Sequence, residues 1–203
     1  MLRERITALV ALTACFIVAN ALAGVEDVRA LYQEINSLVR SNVARRVSVY
    51  ATGQGEQLRW HVVAEHAAQE QSNKSDYRAQ VYLHEDRVVK AQLETNSQSG
   101  DWRFTEEYYF YKNGRTAFYF RSLVTFQGYD FEHDRELPAG PYVVEERRYY
   151  DESGKEIRHL QKAFVQATKR ELPVKYIRAN LPIEVYPDVK SLPFYPAVRG
   201  SKG

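Results

Sequence analysis

Apolar positions recur at spacings of three and four from Val25 through Val28, Leu31, Tyr32, Ile35, Leu38 and Val39. That spacing predicts an amphipathic helix with one apolar stripe. Glu26 and Asp27 fall in its first turn, and Arg40, Arg45 and Arg46 lie at or beyond its last. This charge order complements the helix dipole. From Arg46 onward the period shortens to two. Val47 to Ala51 and Leu58 to Glu65 read as strands around a Gly53-Gln54-Gly55 turn, and the polar stretch Gln69 to Asp76 separates them from the next run. There Tyr77, Ala79, Val81 and Leu83 alternate with Arg78, Gln80, Tyr82 and His84, and after a turn at Glu85 and Asp86 the alternation resumes through Val89, Ala91 and Leu93. One apolar face and one polar face is the signature of an antiparallel sheet.

The strongest local signal is Trp102 to Arg121, where two aromatic-rich runs flank Asn113-Gly114. Asn-Gly favours a two-residue type I′ turn, which needs positive φ at both positions. With that loop, Lys112 faces Arg115, Tyr111 faces Thr116, Phe110 faces Ala117, Tyr109 faces Phe118, Tyr108 faces Tyr119 and Glu106 faces Arg121. One set of aromatics is expected to pack under the N-terminal helix, and both sets are expected mainly as core and ordinary cross-strand ladder, with an exposed ligand surface on the other face as the alternative. A similar hairpin follows, with Tyr149-Tyr150, the turn Asp151 to Gly154, and Lys155 to Phe164; Gly154 lies 40 residues after Gly114. Two copies do not make a solenoid, which needs about three stacked units. The aromatic-Asn-Gly motif resembles hairpins of small exported bacterial proteins, but it covers only these segments and implies no activity.

Between the hairpins, Gln127 to Pro141 has no clear period, and connections of that length are usually functional or disordered. After Phe164 lie five of the seven prolines, Pro173, Pro182, Pro187, Pro193 and Pro196. Proline cannot donate to a strand ladder. The segment 172–203 is therefore expected as an extended, proline-rich strap across the sheet, loose only from Arg199. The fold class that follows is α+β: one N-terminal amphipathic helix packed on a single twisted antiparallel β-meander of about seven or eight strands.

Residues 1–23 add an address. Arg3 and Arg5 precede an almost wholly apolar Ile6 to Ala19, and Ala21-Leu22-Ala23 offers small residues for cleavage before Gly24. This reads as a signal peptide, with residues 24–203 as one domain. Two alternatives stay open: lipidation at Cys15, within Leu12 to Cys15, and an uncleaved anchor over Ile6 to Ala23, just long enough to span. Cleavage leaves 180 of 203 residues, keeping 26 of 28 basic and 25 of 26 acidic side chains because only Arg3, Arg5 and Glu4 depart. A near-neutral chain with interspersed charge argues against nucleic acid as partner and against stable membrane insertion after cleavage. Cys15 is the only cysteine, so the domain holds no disulfide and no thiolate nucleophile.

No serine-hydrolase elbow, zinc-protease helix or phosphate loop is present in the sequence. The histidines His61, His66, His84, His133 and His159 are scattered. The densest titratable cluster is Asp130, Glu132, His133, Asp134 and Glu136, expected mainly as a solvated acidic loop. Its residues Tyr129, Asp130, His133 and Asp134 are nonetheless the first candidates for a ligand or partner surface, because long loops on a rigid scaffold carry function. No cofactor or metal is assigned. The expected function is an exported, periplasmic or secreted, non-catalytic binding module of the bacterial cell envelope, taking an envelope protein or small ligand. The alternatives are a hydrolase using the carboxylate and histidine cluster, and a periplasmic protein inhibitor.

Overall fold

The structure is a computed structural model, and it describes residues 24–53, 57–63, 75–97, 99–130, 132–138, 140–177 and 184–201. Ala21 and Ala23 of the proposed cleavage site, Cys15, Gln54, Gly55, His66 and most of the polar stretch before Asp76 lie outside the described residues. Gly24 is already helical, and helix α1 covers residues 24–40. Its stripe packs as the spacing predicts: Val25, Val28 and Ile35 are buried, with Leu31 and Val39 partly so. Each fully buried side chain of this size stabilises by about 1.5–3 kcal/mol. Asn42 ends the helix with φ of 57°. The Asn42 N–H donates to Val39 O at 3.2 Å and Val43 N–H to Leu38 O at 3.0 Å, the paired bonds of a Schellman cap.

Among the described residues nine strands form one antiparallel sheet: β1 (Arg45–Thr52), β2 (Arg59–Val63), β3 (Tyr77–His84), β4 (Arg87–Asn96), β5 (Trp102–Phe110), β6 (Thr116–Thr125), β9 (Tyr142–Tyr150), β10 (Glu156–Val165) and β11 (Glu171–Leu172). The order β11-β10-β9-β6-β5-β4-β3-β1-β2 is a meander except at one edge, where β3 pairs with β1 and leaves β2 outside. The connection 127–141 is not structureless. It folds into its own pair, β7 (Tyr129–Asp130) and β8 (Arg135–Glu136).

The central hairpin keeps the expected pairing in its body and changes it at the tip. Tyr109 opposes Phe118, Tyr108 opposes Tyr119 and Glu106 opposes Arg121, but Phe110 opposes Thr116. Tyr111 N–H donates to Arg115 O at 2.9 Å and Gly114 N–H to Tyr111 O at 2.9 Å. The loop thus has three residues, and only Gly114, at φ of 84°, is left-handed. This is the glycine-bulge closure rather than type I′. Ala117 is the extra residue that restores the register. The second hairpin repeats this: Asp151 and Lys155 close the tip, Gly154 has φ of 88°, and the shift falls between Glu156 and Arg158. The β3–β4 turn, with Glu85 and Asp86 at φ of 50° and 58°, also has its shift just beyond, at Val89.

Both sheet faces are covered near the hairpin tips. Helix α1 lies on one, over Val89, Tyr109, Phe118, Tyr149 and Ile157. The other carries Tyr108, Phe110 and Tyr119, which are core as the favoured expectation had it rather than an exposed ligand surface: they are fully buried under Leu192, Phe194 and Val198. The C-terminal segment crosses the sheet as expected of a strap, but its described residues are not extended throughout. It contains 3₁₀ helices at Val174–Tyr176 and Val189–Ser191 and a short helix α2, Tyr195–Gly200, which admits Pro196 in its first turn. Arg199, expected to be loose, belongs to α2.

Toward the opposite ends of the strands, Phe104, Leu123, Tyr142, Val144, Ala163 and Ile177 form a further apolar cluster on the tail side. Glu106, Arg121 and Glu146 run across neighbouring strands with the same parity. Arg121 Nη2 lies 2.8 Å from Glu146 Oε2, while Arg148 Nε and His159 Nε2 approach Glu146 Oε1 at 2.6 and 2.9 Å. Burial at Glu146 is therefore compensated by three partners.

Candidate functional site

Val89 and Ile157, the extra residues of two of the bulges beyond the hairpin tips, pack against α1. Helix and sheet do not close completely there. Between them is a cleft of about 440 Å³ lined by Val28, Arg29, Tyr32, Gln33, Glu107, Phe118, Phe120, Arg147 and Tyr149. Tyr32 belongs to the apolar stripe yet is 40% exposed, because it forms the rim rather than the floor. Its ring lies 4.9 Å from Tyr109 and 5.5 Å, edge-on, from Phe118; Phe118 in turn lies 4.9 Å from Tyr149. These tilted and edge-on packings hold the aromatic wall in place.

The polar groups of the cleft are anchored. Glu107 Oε2 accepts from Tyr109 Oη at 2.6 Å and lies 2.9 Å from Lys90 Nζ. Tyr109 Oη also lies 3.1 Å from Asn36 Oδ1, tying α1 to β5. Burial pushes the Tyr109 phenol far above its ordinary range, reinforced by the Glu107 charge, so it remains a hydrogen-bond donor. Arg147 sits over the Phe120 ring, 5.8 Å from its centroid, and pairs with Glu145 at 2.9 Å. Arg29 pairs with Glu26 at 2.5 Å on the exposed side of α1. Two guanidinium groups at an aromatic cleft can bind an acidic head while the rings bind an apolar body.

The residues singled out from the sequence lie elsewhere, in the β7–β8 pair, and none lines this cleft. Glu132, His133, Asp134 and Glu136 are exposed, as a solvated loop predicts, while Asp130 is buried at 5% exposure. Its carboxylate lies 2.8 Å from His133 Nδ1 and accepts from Glu132 N–H at 3.1 Å. Burial pushes this carboxyl up, but those hydrogen bonds outweigh it and hold it below the usual range. Tyr129 Oη donates to Asp134 Oδ1 at 2.5 Å, and Asp134 turns the chain at φ of 48°. Lys175 Nζ reaches Glu132 at 2.8 Å, while Gly128 bridges to Ile177. The Tyr176 phenol is pushed up to about 12, first by its hydrogen bond to Glu132.

The four candidates are thus brought together, but largely to satisfy one another. A buried carboxylate behind an exposed imidazole is an orientation that general bases use. Among the described residues, however, no hydroxyl or thiol nucleophile is hydrogen-bonded to His133, and no group of three His, Asp or Glu side chains is placed to hold a metal ion. The other described histidines are separate: His61 meets Thr52, His84 meets Glu85 and His159 meets Glu146. No described helix is long and apolar enough to cross a membrane.

No family model, curated protein or solved structure matches the chain.

Sequence reasoning missed the cleft because its members come from α1, β5, β6 and β9, far apart in the chain. Tyr32 is the one aromatic in the helical stripe, but tyrosine by itself does not mark a rim, since Tyr108, Tyr109 and Tyr119 are fully buried.

Proposed function

We propose that the protein is an exported, non-catalytic binding module of the bacterial cell envelope. The ligand is a small molecule with a flat apolar body and an acidic head, taken between α1 and the sheet. The observation that carries this reading is the aromatic cleft of about 440 Å³ with Arg29 and Arg147 at its edge, a volume within the range of about 300–1,000 Å³ typical of small-molecule sites. The polar groups there are fixed by structural bonds rather than arranged around a reacting centre, which favours binding over catalysis. Export rests on the apolar segment and small residues before Gly24.

The fluorescent probe 8-anilinonaphthalene-1-sulfonate has the required shape and charge. It is expected to bind the purified protein saturably, and Phe120→Ser or Arg147→Gln should weaken its apparent affinity by about tenfold. Affinity unchanged in both variants would remove the cleft as the site. N-terminal sequencing of the protein recovered from its host should find Gly24 first; a chain starting at Met1 or at a lipidated Cys15 would reject the proposed cleavage.

A further inference from the structure

A second cleft, of about 350 Å³, lies at the tips of the hairpins and shares no lining residue with the first. Five segments meet there: the start of β1, the β3–β4 turn, the β5–β6 loop, the 3₁₀ helix Val189–Ser191 and α2. They bring six basic residues, Arg45, Arg87, Lys112, Arg115, Lys190 and Arg199, against two acidic ones, Asp86 and Asp188. A chain with a formal net charge of +2 thus gathers a local surplus of four positive charges.

Part of that charge is offset by Glu85 at the margin of the cleft, which pairs with Arg87 and feels the Lys112 charge, and the rest is not. Arg87 meets Glu85 at 3.1 Å, and Arg115 donates to the Ser153 carbonyl. Among the described residues Arg45, Lys112, Lys190 and Arg199 have no ion-pair partner. Asp188 is occupied as a helix cap, its carboxylate accepting from Ser191 N–H at 2.9 Å. Like charges held together in this way repel, and an oxyanion relieves that repulsion.

The walls are also fixed in advance. Val189 N–H donates to Gly114 O and Thr116 N–H to Pro187 O, both at 3.0 Å, while Thr116 Oγ1 donates to Tyr186 O at 2.7 Å. Arg115 and Asp188 form an antiparallel bridge. The tail and the central hairpin therefore form one unit, so binding there does not have to order them. Leu83 and Val198, both buried, give the cleft an apolar floor.

We propose that this tip cleft binds a small, multiply charged oxyanion on a compact organic body, of the phosphate-ester or polycarboxylate type. Its size suits a small molecule, and its charge is concave and local rather than spread along a face. Lysine supplies point charges and arginine planar forks, and both serve phosphate and carboxylate oxygens.

The test is titration calorimetry of the purified protein at low ionic strength with inorganic pyrophosphate and with citrate, repeated with phosphatidylcholine vesicles containing phosphatidylglycerol. At least one free anion is expected to bind at a single site. The triple change Lys112→Gln, Lys190→Gln and Arg199→Gln should weaken it at least about tenfold. An equal charge change at the other end of the strands, Arg103→Gln, Lys169→Gln and Arg170→Gln, should weaken it less than about twofold, because distant exposed charges are screened. Thermal melts of both variants confirm folding, and Lys112→Gln alone replaces the triple change if that variant does not fold. Equal weakening by the two sets, no binding of either anion, or binding to vesicles alone would each overturn the proposal.

Discussion

Arg121 and Glu146 face each other across β6 and β9 at 2.8 Å, with 9% and 1% of their side chains exposed. Removing one partner of such a pair leaves a buried charge uncompensated and costs about 3–5 kcal/mol. Glu146→Ala leaves Arg121, Arg148 and His159 facing one another. It is expected to lower the unfolding free energy by that amount, a large share of a stability of about 5–15 kcal/mol, and to be read as a lower urea midpoint at unchanged slope. Arg121→Leu combined with Glu146→Leu should be milder than Glu146→Ala alone. A midpoint for Glu146→Ala equal to that of the wild type would mean that the row is solvated.

Gly114 and Gly154 occupy equivalent places in the two hairpin tips, at φ of 84° and 88°. Space does not forbid a side chain at Gly114, since a Cβ there meets nothing within 4 Å. The cost is conformational. Gly114→Val should destabilise by at least about 1 kcal/mol, because β-branched residues rarely adopt positive φ. Gly154→Val should cost at least as much, because its Cβ would also displace the end of the Arg115 side chain. Unchanged denaturant midpoints would rule out the three-residue loops.

Glu106 titrates in the other direction from a surface carboxylate. Burial pushes its carboxyl above the usual range, against the pull of the Tyr119 hydrogen bond and the Arg121 charge. The folded state therefore holds this proton more tightly than the unfolded chain does. Its contribution to stability is complete below the ordinary carboxylate pKa of about 4.3 and is lost as pH rises through the folded value. Glu106→Gln should flatten the decline in stability that sets in as pH rises above the ordinary carboxylate value of about 4.3, and raise the midpoint at pH 7. Parallel pH profiles for the two proteins would show that Glu106 is ordinary.

Asp130 has the opposite sign. Its depressed carboxyl supports the folded state above about pH 3.9 and ceases to do so as pH falls through the lower folded value. Asp130→Asn weakens the bonds to His133 and to the Glu132 amide. Hydrogen exchange at Glu132 and at Leu137, whose N–H bonds Gly128 O at 3.0 Å, should accelerate while β5 remains protected. Equal protection at both places would show that the β7–β8 pair does not depend on this carboxylate.

The helix and the sheet were legible because their periods are local. Val25, Val28 and Ile35 report a single buried stripe, and Tyr108 opposite Tyr119 follows from centring the hairpin on Asn113-Gly114, a register that the bulge at Ala117 restores. The hairpin tip was not legible, because neighbouring tips compete for it: Asn113 Oδ1 accepts from Arg115 N–H at 2.9 Å, while Asn113 Nδ2 reaches across to Glu152 O at 3.3 Å. A two-residue rule cannot include that neighbour. The cover over Tyr108 and Phe110 was hidden for a related reason, since proline content argued against strands but said nothing about short helices. Glu106, Arg121 and Glu146 share the parity of buried aromatics, which was readable and marks a polar row in the core. The two clefts depend on which distant segments meet, and no period encodes that.

The bonds between Thr116 and residues 186–187 join positions about 70 apart. Segment 184–201 follows the whole sheet in the chain, so synthesis or translocation from the N-terminus delivers the strands before their cover. Each copy is therefore expected to pass through an interval in which the sheet is paired while Tyr108, Phe110, Tyr119 and Leu83 face water. Such surfaces are what holding chaperones grip and what drives self-association at high concentration. The tip cleft forms only when that interval ends, so anion binding would distinguish finished molecules from those still waiting for their last segment.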